Sequence, residues 1–125
     1  MTKDQLKQFI AAYAQAAKIS QKALDKNGQE IEEQSDWVWF DRQTIEALLS
    51  KTDPKTGGLK IYFGQYNKEN ISLLPDDRSN REDYIGRVSM ALVAANQGPK
   101  GIEELGDQDD SGSIANGGGL CPPDC

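Results

Sequence analysis

The sequence predicts an α+β domain, with two main helices packed on a small, mostly antiparallel β-sheet and an irregular Gly- and Asp-rich C-terminal tail. Three observations carry the prediction. Leu59 to Tyr66 alternates as a strand does, with Leu59, Ile61 and Phe63 on one side and Lys60 and Tyr62 on the other. Tyr84 to Asn96 repeats that period: Val88, Met90, Leu92 and Ala94 share one face, and Ser89, Ala91, Val93 and Ala95 share the other. Near the start of the chain, Leu6, Phe9, Ile10, Tyr13 and Ala17 recur at helical spacing. At 125 residues the chain is long enough to bury a core without an obligatory metal or disulfide. A single domain is expected over residues 1–105, with the acidic tail over 106–125.

Each element has a local cause. Thr2-Lys3-Asp4-Gln5 has the form of a capping box, so the first helix should begin there, and its apolar stripe extends towards Leu24 before Asn27-Gly28 supplies a stop. Trp37-Val38-Trp39-Phe40 concentrates both tryptophans in a short apolar run, which suits a strand entering the core. Asp41 is a good N-cap for a second helix, with Phe40 and Ile45 placed as a hydrophobic staple. That helix buries Ile45, Leu48 and Leu49 and must end before Thr52-Asp53-Pro54. Pro54 to Gly58 turns the chain into the Leu59 strand, which should organise the core through Leu59, Ile61 and Phe63. The segment from Asn67 to Asp83 is too polar and short for a helical crossover, so the two strands should pair antiparallel. The small residues on the second face of the later strand invite a closely packed helix.

Charge and composition exclude several functions. All 14 Lys and Arg lie within residues 1–100, which also hold 14 of the 20 Asp and Glu, so the net charge of -6 arises entirely after residue 100. Nucleic acid is bound largely through basic clusters, so neither it nor an anionic membrane surface is an expected partner. A cation or a basic protein patch suits the acidic tail better, and the expected partner of the protein as a whole is another protein or a second copy of itself. There is no histidine, which removes His-based nucleophile systems and imidazole metal ligands. No run reaches the length of a membrane span and the first eighteen residues lack a secretory pattern, so a cytoplasmic protein is expected.

Three groups of residues are candidates for chemistry. Trp37, Trp39 and Phe40 can pack in the core or form a binding contact, tryptophan being enriched at interaction hot spots. Cys121 and Cys125 close Cys-Pro-Pro-Asp-Cys, and they can form a small disulfide if a turn brings their Cα atoms within about 7 Å. Structural thiols, a disulfide or redox pair, and an intermolecular metal or covalent link all remain open for them. The spacing is not the C-x-x-C of thioredoxin-like enzymes, and two cysteines fall short of the four ligands of a zinc site. Asp107, Asp109 and Ser111, followed by Gly112 and Ile114, match the front half of an EF-hand calcium loop, but position twelve is Gly118 rather than glutamate. Calcium is therefore the one cofactor worth weighing, against a plain acidic linker. Adjacent carboxylates at Asp76-Asp77, Glu82-Asp83 and Glu103-Glu104 do not by themselves build an acid–base site.

Gly58-Leu59-Lys60-Ile61-Tyr62-Phe63-Gly64-Gln65-Tyr66, the preceding Trp39-Phe40 entry into a helix, the later Gly86-Arg87-Val88 strand and the ending Gly118-Gly119-Leu120-Cys121-Pro122-Pro123-Asp124-Cys125 together resemble a group of small uncharacterised bacterial proteins, mainly from Bacteroidota. Those proteins pair a G-L-x-I-Y-F-G strand with a terminal C-P-P-x-C. The resemblance spans roughly residues 37–125. It implies no catalytic residues, and it implies that the tail is a built feature. The expected function is a non-enzymatic protein-binding or assembly module, with a thiol/disulfide redox protein as the alternative and a calcium-binding tail as the third possibility.

Overall fold

The structure, a computed structural model, describes residues 1–15, 23–75, 78–106 and 111–125. In chain order it comprises α1 (Lys3–Gln15), β1 (Trp37–Trp39), α2 (Arg42–Leu49), β2 (Gly57–Gln65), β3 (Val88–Gly98), β4 (Gly101–Glu104), β5 (Ile114–Ala115) and β6 (Gly119–Cys121), with short 3-10 turns between several of them. Both helix starts follow from local chemistry. The Thr2 N–H donates to Gln5 Oε1 at 2.6 Å while Gln5 N–H donates to Thr2 Oγ1 at 3.2 Å, which is the reciprocal capping box. Asp41 caps α2 by accepting from Thr44 N–H at 2.8 Å.

The main sheet is built around β3. β2 pairs with it antiparallel, from Gly57 opposite Asn96 to Gln65 opposite Val88, as the short polar connection between the two strands predicts. On its other edge β3 carries two partners in succession: β4, from Ala95 opposite Glu104 to Gly98 opposite Gly101, and β5, with Leu92 opposite Ala115. β1 and β6 form a separate two-stranded antiparallel ladder.

One helix covers each face of the sheet. α1 packs on the face formed by Tyr62, Gly64, Ala91 and Val93, where Leu6 and Phe9 join Tyr66, Tyr84, Ile114 and Leu120 in the principal core. α2 packs on the opposite face, placing Leu48 and Ile45 against Leu59, Leu92 and Ala94. The buried face of β2 is therefore the reverse of the one its hydropathy suggests. Leu59 is partly covered by α2, but Ile61 is 50 % and Phe63 53 % exposed. Volume decides this. Gly64 leaves a recess into which the Phe9 ring drops, so closely that a Cβ on residue 64 would overlap the ring. Lys60 and Tyr62, whose polar tips argued for an outward face, meet one acceptor instead. Glu104 Oε2 receives Lys60 Nζ at 2.8 Å and also the Tyr62 hydroxyl, while Lys3 of α1 lies 3.5 Å from Oε1. Burial pushes the Glu104 carboxyl up, but these hydrogen bonds and the Lys60 and Lys3 charges outweigh it and hold the carboxyl below its usual range.

The segment expected to be an irregular tail contributes two strands to the fold. Ile114 and Leu120 are 6 % and 0 % exposed, each inside the principal core, because β5 and β6 find partners far away in sequence. Among the described residues no helix is long and apolar enough to cross a membrane.

Candidate functional site

The β1–β6 ladder has two unlike faces. Its register sets Trp37 opposite Cys121, Val38 opposite Leu120, and Trp39 opposite Gly119. Directly opposed residues in an antiparallel pair project on the same side, so Val38 and Leu120 face the core while Trp37, Trp39 and Cys121 share the other side. Leu120 is fully buried and Val38 packs against the same cluster. Trp37 is 49 % and Trp39 62 % exposed, so the tryptophans do not enter the core as the short strand had suggested. Glycine shapes both sides of this ladder. A Cβ at Gly118 would run into Val38 and Phe40, whereas nothing lies within 4 Å of one at Gly119, which leaves open ground beside Trp39. Phe40 parts from the two tryptophans: it is partly buried against the α2 cluster and helps hold the end of β1 in place.

Cys121 and Cys125 are joined by a disulfide, with Cα atoms 4.6 Å apart, so two of the residue groups singled out in the sequence meet on one face. The ring passes through Pro122 and Pro123, each preceded by a cis peptide bond. Asp124 anchors it. Its carboxylate accepts from the Tyr84 hydroxyl and from Asn80 Nδ2, the latter at 2.6 Å, and its N–H donates to Leu120 O at 2.6 Å. The Tyr84 hydroxyl in turn accepts the Leu120 N–H at 3.2 Å, and burial, followed by the Asp124 carboxylate, raises its pKa. Arg78 lies over the Tyr84 ring and donates to Gly117 O at 2.8 Å. Cys121 is buried and Cys125 is exposed.

Beside the ring opens a cleft of about 450 Å³, one wall of which is Pro123. Six carboxylates line it, from Asp25, Glu30, Glu32, Glu33, Glu82 and Asp83, against the two cations Lys26 and Arg87. That is a formal excess of four negative charges. Lys26 is taken up by Asp83 at 2.6 Å, and Arg87 donates through Nε to Asp83 O at 3.1 Å and through Nη1 to Glu33 O. No ion pair among the described residues engages Glu32, Glu33 or Glu82. The two sides of the cleft are knitted together by Gln34, whose side chain receives the Val88 N–H at 2.6 Å and donates to Gly86 O at 3.1 Å. Gly86 sits at φ +85° with Leu24 O where a Cβ would be, so this crossing requires glycine.

No protein-family model, curated protein or solved structure matches the chain.

Of the sequence candidates, Trp37, Trp39, Cys121 and Cys125 come together, and Phe40 supports them from below. Asp107 and Asp109 of the calcium candidate lie outside the described residues, as do Asp76 and Asp77, and Ser111 is placed only as the first residue of a 3-10 turn. Among the described residues no group of three or more acidic or cysteine side chains is arranged to hold a metal ion. Sequence reasoning missed Asn80, Tyr84 and Arg78 as the anchors of the ring. Nothing local marks them, since their partners lie about forty residues away.

Proposed function

We propose that the protein is a non-enzymatic protein-binding module whose contact surface is the Trp37 and Trp39 face of the β1–β6 ladder. One observation carries this: both tryptophans of the chain stand half-exposed, side by side on a strand whose other face is locked into the core. Large rigid aromatics on a fixed backbone lose little entropy on contact, and such residues dominate interface energetics. The disulfide ring stiffens the floor beneath them. The test is a Trp37→Ala/Trp39→Ala double variant, compared with the parent by retention of a partner on an affinity-tagged column and by mass in sedimentation equilibrium. The parent should show a retained partner or a mass above monomer. The variant should lose it while unfolding at nearly the same denaturant concentration, because its removed side chains face outwards. Equal behaviour of both proteins would sink the proposal.

The second reading, a thiol/disulfide protein acting through Cys121 and Cys125, is favoured by the formed disulfide and the exposure of Cys125. In it, a partner thiolate attacks Cys125 Sγ, the Cys121 sulfur leaves as thiolate, and a mixed disulfide forms. Alkylation and mass spectrometry after treatment with a glutathione buffer test it, and a disulfide that never exchanges rules it out.

A further inference from the structure

We infer that the tryptophan face receives a lysine- and arginine-bearing segment of another protein rather than a second copy of this chain. The inference rests on the binding reading above and names the partner's chemistry. The disulfide ring joins two surfaces: Cys121 lies opposite Trp37 on the ladder, and Pro123 forms part of the wall of the acidic cleft. A bound segment that covers the tryptophans and continues along the ring past Pro122 therefore meets the cleft at Pro123. Asp36 and Asp41 flank β1 on either side, and no ion pair among the described residues engages them. The apolar strip is thus bordered by negative charge at both ends of its strand and along the neighbouring cleft.

That pattern selects its occupant. A guanidinium or ammonium can stack over an indole while its neighbours enter the cleft, so cation–π and Coulomb attraction act on the same segment. A second copy would bring the same carboxylates face to face, and the net charge of -6 adds repulsion at longer range. β1 is also only three residues long, too short for edge pairing between copies to hold by backbone bonds alone. Phosphate-bearing partners are disfavoured by the same field.

Because both tryptophans lie on this face, fluorescence excited where tyrosine does not absorb reports on it alone. The experiment titrates the full chain with octa-arginine, octa-lysine and octa-glutamate peptides at about 0.1 M salt, where charges further apart than about 10 Å are largely screened. Two variants of equal charge are compared with the parent: Glu32→Gln/Glu33→Gln/Glu82→Gln in the cleft, and Asp4→Asn/Glu69→Gln/Glu103→Gln on other elements. The expected result is a saturable emission shift with the basic peptides and none with octa-glutamate. The cleft variant should bind about tenfold more weakly and the control less than about twofold. Equal weakening of both variants, or no emission shift with the basic peptides, overturns the inference. If the basic peptides fail but the Trp37→Ala/Trp39→Ala pair still abolishes a retained partner, the binding reading stands and only its basic occupant falls. If that pair instead abolishes a dimer, the occupant is a second copy and the inference is again overturned. If the pair changes nothing, both fall together.

Discussion

Adding one carbon atom to β2 should have opposite consequences at two glycines six residues apart. Gly58 and Gly64 lie on the same face of the strand, and neither has the left-handed φ that excludes a side chain. At Gly58 nothing lies within 4 Å of a built Cβ. Alanine there should be neutral or stabilising by up to about 1 kcal/mol, because it restricts the unfolded chain without meeting a neighbour. At Gly64 the same atom overlaps the Phe9 ring, which is 0 % exposed and set edge-on to Tyr66 with centroids 5.0 Å apart. The ring has nowhere to swing. Overpacking of this kind costs about 1–3 kcal/mol, rising towards the roughly 3–5 kcal/mol of losing a buried phenylalanine if α1 is forced off the sheet. Urea denaturation of the parent, Gly58→Ala and Gly64→Ala should separate the two variants in midpoint with little change in slope. In a Phe9→Leu background, where the ring is gone, Gly64→Ala should cost at least about 1 kcal/mol less than in the parent. Additive behaviour, or a Gly64→Ala as harmless as Gly58→Ala, would refute the seating of α1 on Gly64.

Further outcomes follow from the polar anchors. Glu104→Gln should destabilise the protein at pH 7 by about 1.5–3 kcal/mol, the range for hydrogen bonds to a charged group. Since the folded carboxyl lies below its ordinary value of 4.5, its stabilisation is complete above that pH and disappears as pH falls through the folded pKa, so the parent and variant melting curves should converge in acid. Tyr84→Phe strands the Leu120 N–H and removes one donor from Asp124, and should cost about 1–3 kcal/mol in chemical denaturation. Cys125→Ser opens a ring of five residues, worth about 2 kcal/mol in the chain-entropy model, and differential scanning calorimetry should show the loss only under non-reducing conditions.

What was legible in the sequence is what neighbours in sequence decide. The Thr2–Gln5 box, the Asp41 cap and the alternation of β2 and β3 each depend on a few consecutive residues, and each appears where it was expected. The small face of β3 shares the core that α1 closes, but the close approach of the helix is to Gly64 of β2 rather than to β3. The burial of β2 was misjudged because hydropathy favoured Leu59, Ile61 and Phe63, whereas helix docking was settled by the recess at Gly64. β1 shows the same failure, since the larger, more apolar tryptophans stay out and the smaller Val38 goes in, matched to Leu120 and to the bare Gly118. For the candidate site, Cys spacing left the ring as one of several possibilities, which the 4.6 Å Cα separation decides, and it gave no sign of the ring's neighbours. The acid runs at residues 25–33 and 82–83 are plain to see, yet their meeting depends on Gly86 and Gln34.

β3 has a consequence for how the protein breathes. It alone in the sheet holds partners on both edges, and on one of those edges the two are separate pieces, β4 and β5. Opening β4 exposes the amides that bond it near Ala95–Gly98 without disturbing Leu92 and Val93, and losing β5 does the converse. Amide hydrogen exchange should therefore resolve separate local openings of β4 and β5, with the β3 amides that bond to β2 exchanging last, through global unfolding.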